Sequence, residues 1–87
     1  MLELKYNGDK SVPEYEQFKL IAWELVRSER DSLLSIADKQ IESALDSGVE
    51  VTPFRQYRQA LRDIPQTYSN PEDVVWPQKP SLPQASA

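Results

Sequence analysis

Apolar side chains recur at helical spacing through the first half of the chain, and this periodicity constrains the fold more than any other feature. Proline is tolerated in the first turn of a helix, and glycine often ends one in a left-handed conformation. With Pro13 and Gly48 at these boundaries, the pattern predicts one long helix over residues 13–47, about 50 Å long at about 1.5 Å per residue. The polar run 27–32 leaves a kink open as an alternative. The apolar positions are Tyr15, Phe18, Ile21, Ala22, Leu25, Val26, Leu33, Leu34, Ile36, Ala37, Ile41, Ala44 and Leu45.

The residues before this helix predict a cap and a short strand. Ser11 is placed to cap the helix, with Glu14 completing a capping box. Further upstream, residues 2–6 alternate apolar and polar side chains, and Asn7-Gly8 is typical of a hairpin turn. We therefore expect residues 1–12 to form an N-terminal strand or arm.

A shorter second helix follows, with Thr52 as its N-cap and Pro53 in its first turn. Its apolar stripe comprises Phe54, Tyr57, Leu61 and Ile64. Pro65 disfavours helical geometry at Ile64, so this helix is expected to end there. Because the connecting loop 48–52 is short, the two helices are expected to lie side by side and antiparallel.

The predicted fold class is thus all-α. A long helix and a short helix form an antiparallel hairpin over residues 13–65. The N-terminal strand or arm precedes it, and an extended proline-rich tail with a tryptophan anchor follows over 66–80. Residues 81–87 are expected to be disordered.

Composition excludes several classes of function. A chain of 87 residues is at most one domain, and it contains neither cysteine nor histidine. The commonest catalytic base and the commonest metal ligands are therefore missing, so we predict no enzyme, no metal and no cofactor. A net charge of -4 disfavours nucleic acid as a partner. The longest apolar run, residues 20–23, is far too short to span a membrane, which favours a cytoplasmic protein.

Exposed apolar side chains predict a protein partner. The second helix is long enough to cover only the last third of the first, which leaves the apolar residues of the N-terminal third without obvious internal cover. We predict that these residues bind a partner, with the alternative that the N-terminal strand folds over them. They are Tyr15, Phe18, Ile21 and Trp23.

Two further features carry open alternatives. Arg58 and Arg62 share a helix face with Arg55 and are candidates to meet an acidic partner or a nucleic-acid backbone, but salt bridges with the first helix are the favoured interpretation. Trp76 is a candidate partner anchor, and packing on the first helix is favoured for the free protein.

Four stretches taken together resemble the phage tail assembly chaperone family, over roughly residues 24–80. They are RSERDSLL (27–34), AD (37–38), YRQALRDIP (57–65) and PEDVVWPQKP (71–80). The chain departs from the family pattern at Lys39 and Phe54, where members often have tryptophan, and these positions bear on core packing and partner choice.

The resemblance implies a small bacteriophage protein that assists assembly of a tail or tail fibre. Its partner would be a phage tail or tail-fibre protein, and a homo-oligomer is left open. It would act in the bacterial host cytoplasm, with the virion tail as the other location left open. The alternatives are a permanent structural subunit of the tail or fibre and, least favoured, a small nucleic-acid-binding regulator.

Overall fold

A computed structural model describes residues 4–81, and every element of regular secondary structure among them is helical. Helix α1 covers Pro13–Ser47, helix α2 covers Thr52–Thr67, and a 3₁₀ turn covers Pro71–Asp73. These residues contain no strand, so the predicted strand is wrong for residues 4–6, which belong to an irregular arm. The rest of that prediction, and the disorder expected for 82–87, lie outside the described residues.

Helix α1 is one continuous element of 35 residues, without a break at the polar run. Its N-cap is Val12, so the predicted cap at Ser11 is wrong. The amide and hydroxyl of Ser11 instead donate to the Asp9 carboxylate at 2.8 and 2.7 Å, which lowers the pKa of Asp9. At the other end, Gly48 adopts the left-handed φ of 71° that was expected of a helix terminator.

Helix α2 differs from its prediction at both ends. Thr52 is already helical rather than the N-cap, because Glu50 accepts hydrogen bonds from both its amide and its hydroxyl. The helix also continues through Pro65 to Thr67. Proline removes one amide donor, but Ile64 is anchored in the core and its carbonyl accepts from the Tyr68 amide at 3.1 Å, which holds the last turn together.

Two buried clusters join the helices. Near the connecting loop, Phe54 of α2 packs with Ile41 and Ala44 of α1. Further from the loop, three buried α2 residues pack with Val26 and Ala37 of α1. Those three residues are Tyr57, Leu61 and Ile64. Residues later in α2 therefore contact residues earlier in α1. The first turns of α1 lie beyond the end of α2.

After the 3₁₀ turn the chain reverses and runs back along α1 as an extended segment, residues 74–81, which we call the strap. Val74 and Trp76 pack against the cluster around Val26, and the carbonyl of Pro80 accepts from Gln40 at 3.5 Å. The Tyr68 hydroxyl donates to the carbonyl of Val75 at 3.3 Å across the base of this reversal. The strap thus covers a face that the helices alone leave open.

Candidate protein-binding surface

The first half of α1 carries large apolar side chains on its surface. Leu20 is 70% exposed, Ile21 61% and Leu25 46%. Ile21 and Leu25 are one helical turn apart and therefore lie on the same side of α1. We call Leu20, Ile21 and Leu25 the apolar flank. Neither α2 nor the strap buries it, although an amphipathic helix normally turns such residues inward.

Tyr15 and Phe18 were expected to be exposed to solvent, but Tyr6 of the N-terminal arm packs against both of them. The Tyr6 ring centre lies 5.0 Å from that of Tyr15 and 5.1 Å from that of Phe18. Tyr15 is only 4% exposed, so the expectation that it has no internal cover was wrong, and the alternative that the N-terminal segment folds over it describes its surroundings. Phe18 is partly exposed.

Close approach of the arm depends on Gly8. A Cβ atom on this residue would lie 2.9 Å from the Tyr6 hydroxyl and 3.0 Å from two of its ring carbons, so the Tyr6 side chain would have to shift. Glycine therefore allows Tyr6 to fold back beside its own backbone and reach α1. The hairpin turn expected at Asn7-Gly8 is wrong for the described residues, because only a bend occurs at Gly8, neither residue has a positive φ, and no paired strands flank it.

A carboxylate ties the arm, α1 and the 3₁₀ turn together. The Tyr15 hydroxyl donates a hydrogen bond to Oε1 of Glu72, and the Lys10 ammonium lies 3.6 Å from the same oxygen. The hydrogen bond to Glu72, reinforced by burial, raises the pKa of Tyr15 to about 12. This cluster fixes the point at which the tail turns back toward the strap.

The two tryptophans contribute to the fold in the same region. Trp23 and Trp76 are both partly buried and both pack against the cluster around Val26. Trp76 therefore rests on the helices in this structure, which is the alternative raised beside a role as partner anchor. Its neighbour Val75 points outward and is 71% exposed.

The arginines of α2 are divided between an internal contact and solvent. Arg58 forms an ion pair with Asp38 of α1 at 3.2 Å. Arg55 and Arg62 form no ion pair with another described residue. One arginine of the three thus makes the salt bridge to the first helix that was proposed as the alternative to a binding role.

The described residues contain no group of three or more acidic side chains placed to hold a metal ion. No helix within residues 4–81 is long and apolar enough to cross a membrane.

Sequence reasoning missed Tyr6 and Glu72 as organisers of the surface. The pairing of Tyr15 with Glu72 joins residues 57 positions apart, and neither helical spacing nor turn chemistry indicates it. Tyr6 gave a weak signal, because it belongs to the alternating apolar pattern of residues 2–6.

A family model described as phage tail assembly chaperone protein matches residues 23–81 of this chain. The matched region begins within α1 and includes α2, the 3₁₀ turn and the strap. No curated protein and no solved structure matches the chain.

Proposed function

The chain belongs to the phage tail assembly chaperone family, and from that premise we propose that it binds a tail or tail-fibre protein through the apolar flank of α1. The partner is a polypeptide that exposes apolar surface before it assembles. The function is non-enzymatic, and the site of action is the bacterial host cytoplasm during phage assembly.

The observation that carries this proposal is the exposure of three large apolar side chains, Leu20, Ile21 and Leu25, within six residues of α1. A large apolar side chain contributes about 1.5–3 kcal/mol when it is removed from water. Clustered exposed apolar residues mark protein-binding surfaces more often than they occur without a role. Phe18 adjoins the flank and extends it toward the arm.

The proposed mechanism is shielding. The two packed helices supply a stiff support, because α1 is held along its C-terminal half by α2 and beside Val26 by the strap. The flank then covers apolar surface of the tail protein until the correct neighbour in the growing tail displaces it. Displacement requires a modest affinity, which suits a small apolar flank better than a large interface.

Co-expression tests the proposal. Tail and tail-fibre proteins encoded beside this chain are produced with and without it, and their soluble fractions are compared. We expect one of them to become soluble only with the chaperone, and to co-purify with it. If none of them gains solubility or co-purifies, the proposed function is wrong.

Mass spectrometry of purified virions separates this function from a permanent structural role. An assembly chaperone is absent from the finished particle, whereas a structural subunit of the tail or fibre remains in it. Detection of the chain at a fixed ratio to the tail proteins would favour the structural subunit.

A further inference from the structure

A small pocket lies where the arm, α1, the 3₁₀ turn and the strap meet. Its volume is about 220 Å³. Ligand pockets for small molecules and cofactors usually have roughly 300–1,000 Å³, so this one has room for a single side chain. Its lining includes the apolar residues Val26, Val74 and Trp76 and the charged residues Lys5 and Glu72, and polar atoms make up much of its exposed surface. The pocket is separate from the apolar flank, which does not line it.

Glu72 brings an unused hydrogen-bond acceptor to this pocket. Its side chain is only 9% exposed. Oxygen Oε1 accepts from Tyr15, but Oε2 is buried and has no hydrogen-bond partner among the described residues. Buried polar atoms without partners are uncommon in native proteins and call for an explanation. Glu72 lines the pocket, so Oε2 is the polar atom there whose hydrogen-bonding capacity is unused.

The charges around the pocket determine which kind of hydrogen-bond donor a ligand could bring to Glu72. The Lys10 ammonium already lies 3.6 Å from Oε1, and Lys5 lines the pocket. Asp73 is the neighbouring acidic residue in the same turn. Because Lys10 pairs with the carboxylate and Lys5 adds a positive charge to the lining, a further cation entering the pocket would be repelled. A neutral hydrogen-bond donor meets no such repulsion.

We propose that this pocket binds an aromatic side chain carrying a neutral hydrogen-bond donor, with tryptophan of the partner protein as the best fit. Indole has one N–H donor and no acceptor, which matches the unused Oε2. Its ring packs against Trp76 and the valines, and an apolar body with one polar tip is typical of interface anchors. Only the source of the side chain rests on the proposed function; the chemistry of the pocket does not.

Nuclear magnetic resonance titration of the full chain tests this proposal with indole and 1-methylindole. The two probes differ little in shape, but only indole has an N–H donor. We expect indole to shift the Trp76 side-chain N–H and the backbone amides of Glu72 and Val74. A hydrogen bond to a charged group predicts that indole binds at least about fivefold more tightly than 1-methylindole.

Glu72→Gln supplies the decisive variant, because its amide keeps an acceptor for Tyr15 but presents NH₂ in place of Oε2. This variant should lose the preference for indole, and Asp73→Asn should keep it. Equal binding of the two probes, no shift with either, or an unchanged preference in Glu72→Gln would each overturn the proposal. If Glu72→Gln does not fold, the comparison of the two probes on the unaltered chain still decides. If no tail protein binds the chain but indole binds as expected, the proposed function is wrong and the proposal for the pocket is still supported.

Discussion

Individual side chains differ sharply in how much they contribute to the stability of the fold, and two leucines show the range. Leu61 is fully buried in the cluster that joins α2 to α1, whereas Leu20 is 70% exposed on α1. Leu61→Ala should lower the free energy of unfolding by about 2–5 kcal/mol, since it removes packed methyl groups and leaves a cavity. Leu20→Ala is the matched control and should change it by no more than about 0.5 kcal/mol. Urea denaturation measures both, and a loss below about 1 kcal/mol for Leu61→Ala would contradict the core described above.

Tyr15 gives the fold a dependence on high pH. Its pKa is raised from 10.0 in the unfolded chain to about 12, chiefly by the hydrogen bond to Glu72. A raised folded-state pKa means that this stabilisation is complete below pH 10.0 and is lost as the pH rises toward about 12. Burial also raises the pKa of Tyr57, so some alkaline loss remains without Tyr15.

Tyr15→Phe should therefore lower the melting temperature at neutral pH and reduce its fall above pH 10.0. Melts followed by circular dichroism at several alkaline pH values measure this fall. An identical alkaline fall in the variant and the unaltered chain would show that the Tyr15–Glu72 hydrogen bond does not contribute.

At the scale of elements, the strap is the segment whose role was least certain from sequence. Trp76 packs on the helices and Val75 faces solvent. Trp76→Ala should lower the melting temperature, because truncation of a packed aromatic side chain costs up to about 3–5 kcal/mol and Trp76 is partly buried. Val75→Ala should leave the melting temperature nearly unchanged. If Trp76→Ala melts like the unaltered chain, the strap does not stabilise the helices.

The end of α2 offers a second prediction at this scale. Pro65 lies within the helix and leaves the Leu61 carbonyl without its usual intrahelical donor. Pro65→Ala restores that donor, so it should raise the free energy of unfolding by about 1 kcal/mol or more. Helix content from circular dichroism should not fall. A destabilised variant would mean that the rigidity of proline in the unfolded chain outweighs the missing hydrogen bond.

The elements also show what sequence can and cannot predict. Helical spacing, with Pro13 and Gly48 as boundaries, correctly predicted α1 to the residue, and the stripe of α2 correctly predicted its buried face. The caps at Ser11 and Thr52 were wrong, since their hydroxyls donate to the neighbouring carboxylates of Asp9 and Glu50 and cap no helix amide. The end of α2 was wrong because tertiary packing of Ile64 overrides the local effect of Pro65.

The arm and the 3₁₀ turn could not be placed from sequence, because their contacts are distant and irregular. The sequence offered cover of Phe18 by the N-terminal segment only as an alternative, and nothing in the order of residues predicts that Glu72 meets Tyr15. The exposure expected of the N-terminal third of α1 was consequently wrong in part. Tyr15 is internal, whereas Ile21 is exposed as expected and Leu25 joins it.

The whole molecule is acidic, and this sets its expected behaviour toward nucleic acid. The net charge is -4, and Arg58 is already paired with Asp38. We expect no DNA binding at roughly 150 mM salt, since non-specific binding depends on neutralising phosphates. Electrophoretic retardation measures it. Micromolar affinity that disappears when Arg55, Arg58 and Arg62 are changed together would contradict this expectation.

The central claim is that the apolar flank of α1 binds a phage tail protein, and one affinity measurement tests it most directly. The double variant Ile21→Ser with Leu25→Ser removes two exposed apolar side chains, and Leu45→Ser removes one that is 57% exposed at the far end of the same helix. Isothermal titration calorimetry with the co-purified tail protein compares them. The double variant should keep its helix content and bind more weakly by about 2 kcal/mol or more, roughly thirtyfold, while Leu45→Ser should bind normally. Unchanged affinity in the double variant would contradict the claim.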